Sequence, residues 1–275
     1  MLASLALAFS SFSKIPVPQF EWREENMRYM MCFFPVIGVV VGLLAAAWMW
    51  CSQAAGFGPF LRGAGIALVP VLVTGGIHLD GFCDVVDAQS SHAAPERKRE
   101  ILKDPHAGAF ASIGVASYLV AYAAFASEIG CSWQAAVLVG GMHVASRCMS
   151  GLATIMFPTS GHAGMLSMFH ESGSGVRVPV VLLVELAVCA VVMVVVDVPA
   201  GVAMLCAGLA CLAALFPFAK SQFGGMSGDL AGFFLQVAEL VMVVALVVVV
   251  KVVGEINKIL PLIMQRLSNR KQKIR

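Results

Sequence analysis

The chain has 275 residues, 59% of them hydrophobic and only 12% charged, and a mean hydropathy of +0.87; no soluble domain needs that much apolar surface to fill its core, so this is an integral membrane protein with the lipid bilayer as solvent. The net charge of +2 is too small, and no loop mixes basic with aromatic residues densely enough, for nucleic acid to be a partner. Its eight cysteines form no C-x-x-C pair and mostly lie inside apolar runs, so they read as reduced small hydrophobes.

In chain order, residues 2–12 form an apolar run that has no basic residue before it, with Lys14 following instead. That is the wrong polarity for a secretory signal and predicts an amphipathic or half-inserted segment. Residues 30–50 are uncharged and long enough, at about 1.5 Å rise per residue, to cross a hydrocarbon core of about 30 Å. Trp48 and Trp50 close that run as an interfacial belt would. Similar runs at 63–77, 110–127, 132–146, 178–196, 198–219 and 233–250 bring the expectation to about seven spans. The second is short and is expected to be tilted, broken or re-entrant. The fold class expected is all-α, a polytopic membrane helix bundle forming a single domain over residues 1–275.

Polar material collects at 80–107, 159–177 and 220–232. Seven crossings that start inside place all three connections on one side, and Arg97, Lys98, Arg99 and Lys103 mark that side as cytoplasmic. The basic tail from Asn257 disagrees, since an odd number of spans leaves it outside. A re-entrant segment, an N-terminal run that crosses, or a surface helix over 259–267 would each reconcile it.

The stretch TGGIHLDGFCDVVDAQ, residues 74–89, carries the chemistry. Asp80, Asp84 and Asp87 are spaced so that on a helix they point within roughly 60° of one another. Three carboxylates on one face repel unless a cation joins them. Hard oxygens favour Mg²⁺ or Mn²⁺ over zinc, and Mg²⁺ keeps positions for water and substrate phosphate. The blander alternative is that the acids only cap a span and hydrate in the interface. His78 is open to three readings, as a metal ligand, a proton carrier or a hydrogen-bonding group in the bundle; its spacing to Asp80 favours the last. Gly75, Gly76 and Gly81 permit close backbone approach or an unwound turn, either of which would help a phosphate reach the metal, or else serve close helix packing.

Residues 94–102 read as a short helix with Pro95 near its start and charges along a wet face. In the following KDPHAGAF, Lys103 is placed to neutralise a phosphate and Asp104 to join the metal site. In FGGMSGDLAGFFLQVAEL, Gly224, Gly225 and Gly228 surround Ser227 and Asp229, and Gln236 falls on the helical face of Asp229. Glu239, deeper in that span, and the lone Glu185 are flagged because ionisable groups inside spans are expensive.

The ordered set TGGIHLDGFCDVVDA, ILKDPHAGAF and FGGMSGDLAG, together with SKIPVP, FFPVIGVVVG and GHAGMLSMF, resembles the cobalamin synthase family, the membrane-bound adenosylcobinamide-GDP ribazoletransferases, over most of the chain. The resemblance implies a transferase of the bacterial or archaeal cytoplasmic membrane that joins adenosylcobinamide-GDP to α-ribazole, or to its 5′-phosphate, and releases GMP. It implies Mg²⁺ held by Asp80, Asp84 and Asp87, with Lys103, Asp104 and Asp229 completing the catalytic set. Gly76, His78, Gly225, Ser227 and Gln236 are then assigned to substrate contact. Two positions depart from the family pattern: Ala88 and Gln89 replace glycine and leucine, and Ser227 replaces threonine. Two other classes compete. A CDP-alcohol phosphotransferase shares the aspartate logic, but its pattern places an alanine-arginine pair soon after a D-x-x-D-G core, and Asp84 to Ala88 does not continue so. A transporter would explain intramembrane acids but is expected to repeat its segments, and the HLDG cluster occurs once.

Overall fold

In lipid every backbone N–H and C=O must be paired within its own segment, so uninterrupted apolar runs become helices. The computed structural model describes residues 1–104, 106–160 and 175–273, with side chains as far as residue 261. Among these residues there is no strand beyond a single bridge between Thr159 and Met226. The helices are α1 (Leu2–Phe12), α2 (Glu24–Met27), α3 (Phe34–Ala54), α4 (Pro59–Thr74), α5 (Ile77–Ser90), α6 (Pro95–Ile101), α7 (Ala109–Ser127), α8 (Trp133–Met156), α9 (Arg177–Val196), α10 (Val198–Phe223) and α11 (Gly228–Lys273), with a 3₁₀ turn at Met30–Phe33.

By length and apolarity five segments qualify to cross a membrane: the continuous stretch ending in α3, then α7, α9, α10 and α11. A sixth follows if α4 and α5 are one span bent by 100°. By that criterion the count is five or six against the expected about seven, and α8 accounts for the difference. At 24 residues α8 is long enough, but it carries His143, Ser146, Arg147, Ser150 and Thr154, all buried. It is walled by α3, α9, α10 and α11, so its polar face meets protein instead of lipid. At the periphery, only 17% of α9's most apolar stretch is buried, which leaves its valines to the lipid.

The short second run is indeed broken. Gly75 and Gly76 both have positive φ, +67° and +82°, a conformation glycine adopts without the steric cost a Cβ would bring. They end α4 and start α5 at the new angle. The N-terminal run belongs to the bundle: Leu7 and Ala8 are buried in a cluster with Phe34, Ile37 and Val41, and the Lys14 amide donates to the Val73 carbonyl at 2.8 Å. At the other end, residues 259–267, considered as a separate surface helix, simply continue α11 through Pro261.

Three chain segments meet at one end of the bundle. The Met226 amide donates to the Pro158 carbonyl at 2.8 Å, and the Ser160 amide to the Met226 carbonyl at 3.0 Å. Lys98, on α6, is buried and donates to Gln222 Oε1 at 2.6 Å and to Gln89 Oε1. Arg99 Nη1 reaches the Phe223 carbonyl at 3.3 Å. The expected gathering of 80–107 with 220–232 is thus made by hydrogen bonds, and the start of 159–177 joins them; GHAGMLSMF itself lies outside the described residues. Most of the α6 charges are solvated as expected, Arg97 and Glu100 pairing in solvent; Lys98 is the exception, its side chain buried against Gln89 and Gln222.

Candidate active site

α5 is two-faced. Gly81, Phe82, Val85 and Ala88 are buried, while Asp80 is exposed and Asp84 and Asp87 are half-buried on the other side. Phe82 anchors the helix: it lies 5.7 Å from Phe233 in a stacked arrangement and 5.1 Å from Tyr118. Gly81 sets the distance to α11, because a Cβ there would lie 2.8 Å from both the Cα and the carbonyl oxygen of Asp229. That close approach brings a fourth carboxylate to the triad. The charges facing Asp84 are those of Asp80, Asp229 and Asp87.

None of these four aspartates takes part in an ion pair among the described residues. Four anionic groups within electrostatic range, with no protein cation between them, favour a bound counter-cation. The donor set suits a hard divalent ion. The side chains share a face without converging, and among the described residues no three His, Cys, Asp or Glu groups are drawn to a common ligand point. Asp87 has a second neighbour: a Cβ on Gly108 would lie 2.2 Å from its Oδ1, so its carboxylate lies against the residue that opens α7, where a helix N-terminus favours negative charge.

Other expected site residues are placed differently. Asp104 is on an exposed loop and accepts from the His106 backbone amide at 3.0 Å, with His106 Nδ1 at 2.8 Å from the same oxygen. The imidazole beside it holds the Asp104 carboxyl below the usual carboxylate range. Asp104 is not among the carboxylates that face Asp84, and Lys103 is exposed on the same loop.

The five residues assigned to substrate contact all have local work to do. Gly76 makes the bend. Gly225, buried with φ of +150°, is pressed against the backbone of Pro158, Thr159 and Ser160. Ser227 Oγ accepts from the Leu230 amide at 3.2 Å and caps α11, a task serine and threonine both perform, which explains why the departure at this position is harmless to the fold. Gln236 is buried and receives the Tyr118 hydroxyl. His78 is buried between Phe34 at 5.5 Å and Phe12 at 6.2 Å.

Sequence reasoning missed a cluster deeper in the bundle. Arg147 and Glu239 are fully buried, and Arg147 Nη1 donates to Glu239 Oε1 at 2.9 Å. Ser146 Oγ donates to the same oxygen at 2.9 Å, and His143 Nδ1 lies 3.0 Å from it. The signal was available: Glu239 inside a span demands a partner, and Arg147 interrupts the apolar run after Ser146. A groove of about 620 Å³ lies elsewhere, between α3, α8 and α9, lined by apolar side chains with Glu185 on its wall; it is separate from the aspartate face.

The family model for cobalamin-5-phosphate synthase matches residues 4–247. A protein of Lachnoclostridium phytofermentans named adenosylcobinamide-GDP ribazoletransferase is 37% identical over 247 residues, covering 90% of this chain and 94% of that protein. Proteins of the same name from Clostridium perfringens (strain SM101 / Type A) and Clostridium botulinum (strain Eklund 17B / Type B) are 30% and 31% identical, covering 86% and 88% of this chain and 94% and 95% of their own lengths. No solved structure matches the chain.

Proposed function

The chain belongs to the cobalamin-5-phosphate synthase family, and we propose that its aspartate face, with Mg²⁺ held by Asp80, Asp84 and Asp87, carries the transfer. The reaction is that of an adenosylcobinamide-GDP ribazoletransferase, a late step in cobalamin biosynthesis. A hydroxyl of α-ribazole, or of its 5′-phosphate, attacks the phosphorus on the cobinamide side of the diphosphate. The new P–O bond to the ribose forms as the bridging P–O bond breaks, GMP leaves with that oxygen, and the hydroxyl proton passes to a base. The corrin is cargo in this step and undergoes no redox change.

One observation carries the assignment of the site: three acids on one face of α5 meet a fourth, Asp229, across Gly81, and among the described residues no protein cation pairs with them. When bound, Mg²⁺ supplies positive charge to the phosphate oxygens and the departing GMP. The protein's own part is to hold the acids in register, through Phe82 on Phe233 and Tyr118, and to present Asp229 where α11 begins. There Asp229 is placed to orient the ribose hydroxyl or take its proton. Lys103, exposed on the loop before α7, is free to offset phosphate charge near the same end, while Asp104 is engaged by His106 and is given no part in the step. The site opens toward the cytoplasm, the side where nucleotide-activated substrate is made, from the cytoplasmic membrane of a bacterium.

The test is product analysis. Purified protein in lipid, given adenosylcobinamide-GDP, α-ribazole and Mg²⁺, is expected to yield adenosylcobalamin and stoichiometric GMP, and to stop when a chelator removes the cation. Turnover that continues in excess chelator removes the metal from the reading. Release of GMP without a corrin–ribazole product makes the protein a hydrolase instead.

A further inference from the structure

Residues that touch neither the aspartates nor solvent fix where the aspartate helix lies. Phe34 is the link: its ring lies 5.8 Å from the Arg147 guanidinium carbon and 5.5 Å from the His78 ring. Arg147 and Glu239 are both within electrostatic range of His78, which occupies the first turn of α5, two residues before Asp80. Backbone contact locks the same point, because a Cβ on Gly232 of α11 would lie 2.9 Å from the His78 carbonyl oxygen. Glu239 and Gly232 are on one helix, two turns apart.

Stability does not account for this cluster. A buried ion pair contributes little net stability, because desolvation consumes most of the attraction, and well-packed apolar residues in its place do as well or better. Here the pairing is also incomplete: among the described residues Arg147 Nε and Nη2, Glu239 Oε2 and His78 Nε2 are buried without hydrogen-bond partners. Unspent buried donors and acceptors are costly and call for an explanation. A group that specifies one arrangement of helices, at some expense in stability, supplies it.

We propose that the Arg147–Glu239 pair, with Ser146 and His143, is a positioning element for the transferase reaction: acting through Phe34 and His78, it sets the seating of α5 against α11, so that Asp80, Asp84 and Asp87 face Asp229. This rests on the aspartate face being the active site. It predicts that loosening the pair displaces α5 without removing any group that touches substrate.

Cys83 lies on α5 between the acids, half-buried and uncrosslinked, and reports the seating of the helix whatever the reaction. In protein retaining only Cys83, Glu239→Gln is expected to raise its alkylation by a small maleimide about 5-fold and to lower kcat about 10-fold with little change in KM for the corrin substrate. His78→Leu is expected to do the same, and Glu239→Gln combined with His78→Leu to add nothing further, since both act through one link. If Glu239→Gln does not fold, Ser146→Ala, which removes one hydroxyl shared between Glu239 Oε1 and the His143 carbonyl, is expected to move both readouts in the same direction by about 2-fold. Alkylation and kcat both within experimental error of the parent overturn the proposal, as do additive effects of the two substitutions. A parent that makes no corrin product while Cys83 still responds refutes the transferase reading and leaves the positioning role intact. A parent that makes product, with Glu239→Gln unchanged in both readouts, does the reverse.

Discussion

α11 carries carboxylates in two opposite settings ten residues apart, roughly 15 Å along the helix. At its start Asp229 joins three other aspartates with no protein cation among the described residues. Further in, Glu239 is fully buried and paired with Arg147 and Ser146. In the first setting like charges face one another without a described protein cation; in the second the charge is closed by the protein itself. An acid in a membrane protein is therefore read by what surrounds it. Uncompensated acids at the rim point to a ligand, and compensated acids in the core point to the arrangement of helices.

The largest effect that separates the two settings is expected at Asp84. Asp84→Asn should lower turnover roughly 10³-fold or more, the scale of losing a group that holds or complements transferring-phosphate charge. Its unfolding midpoint should stay level or rise, because one of four mutually repelling charges is gone. Rates across a Mg²⁺ titration and thermal unfolding in detergent test both halves. A variant that loses stability along with activity would make Asp84 a structural acid like Glu239.

Arg147 is expected to behave in the opposite sense. Arg147→Met leaves Glu239 buried without its cation and should cost about 3–5 kcal/mol of stability. Adding Glu239→Leu should recover most of that loss, because the orphaned charge is removed too, while activity stays low if the pair positions α5. Denaturant midpoints for the three proteins decide it. A single variant as stable as the parent shows that the pair is not carrying charge in the core.

Asp229 lies between the two in expected effect. Asp229→Asn keeps shape and hydrogen bonding but removes the charge that faces Asp84, and should slow turnover roughly 10²-fold. Ser227 Oγ caps α11 and stays in place, and asparagine is itself well tolerated at a helix start, so an unchanged unfolding midpoint would separate the loss of turnover from fraying. Turnover within a few-fold of the parent at saturating Mg²⁺ and substrate would leave the α5 triad to act alone.

The parts of this arrangement that were legible in the sequence are the ones set by local spacing. Asp80, Asp84 and Asp87 share a face because of helical periodicity alone, and most spans follow from the length of apolar runs. The broken second span was legible from its shortness and from Gly75 and Gly76. Contacts between distant segments were not legible. Arg147 and Glu239 are 92 residues apart, and Arg147 made α8 look shorter than it is by ending an apolar run. Gly225, Ser227 and Gln236, expected to contact substrate, also have packing, capping and hydrogen-bonding roles. The Ser227 cap on the Leu230 amide is local, three residues on, whereas the contacts of Gly225 with Pro158 and of Gln236 with Tyr118 join distant segments that no spacing rule brings together. Lys98 looked solvated for the same reason: its partners Gln89 and Gln222 come from two other helices.

The smallest expected effect concerns Asp104, and it tests whether a carboxylate at the same end of the molecule belongs to the site merely by being near it. Asp104 is already engaged by His106 and is largely solvent-facing, and an exposed pair of this kind contributes little. Its carboxyl is held below the usual range by that imidazole. The sign follows: any contribution is present above the unfolded-state value of about pH 4, and is lost only as pH falls through the lower folded value. Near neutral pH Asp104 is ionised throughout, so a pH–rate profile there should not carry its titration. Asp104→Asn is accordingly expected to keep turnover within about 3-fold of the parent, with an unchanged Mg²⁺ requirement, as for other surface substitutions away from a site. If instead it slows turnover as much as Asp229→Asn and raises the Mg²⁺ concentration needed, the loop before α7 must fold over the triad when substrate binds. The rim would then hold five functional carboxylates, and the contrast with the closed core pair on α11 would be wider still.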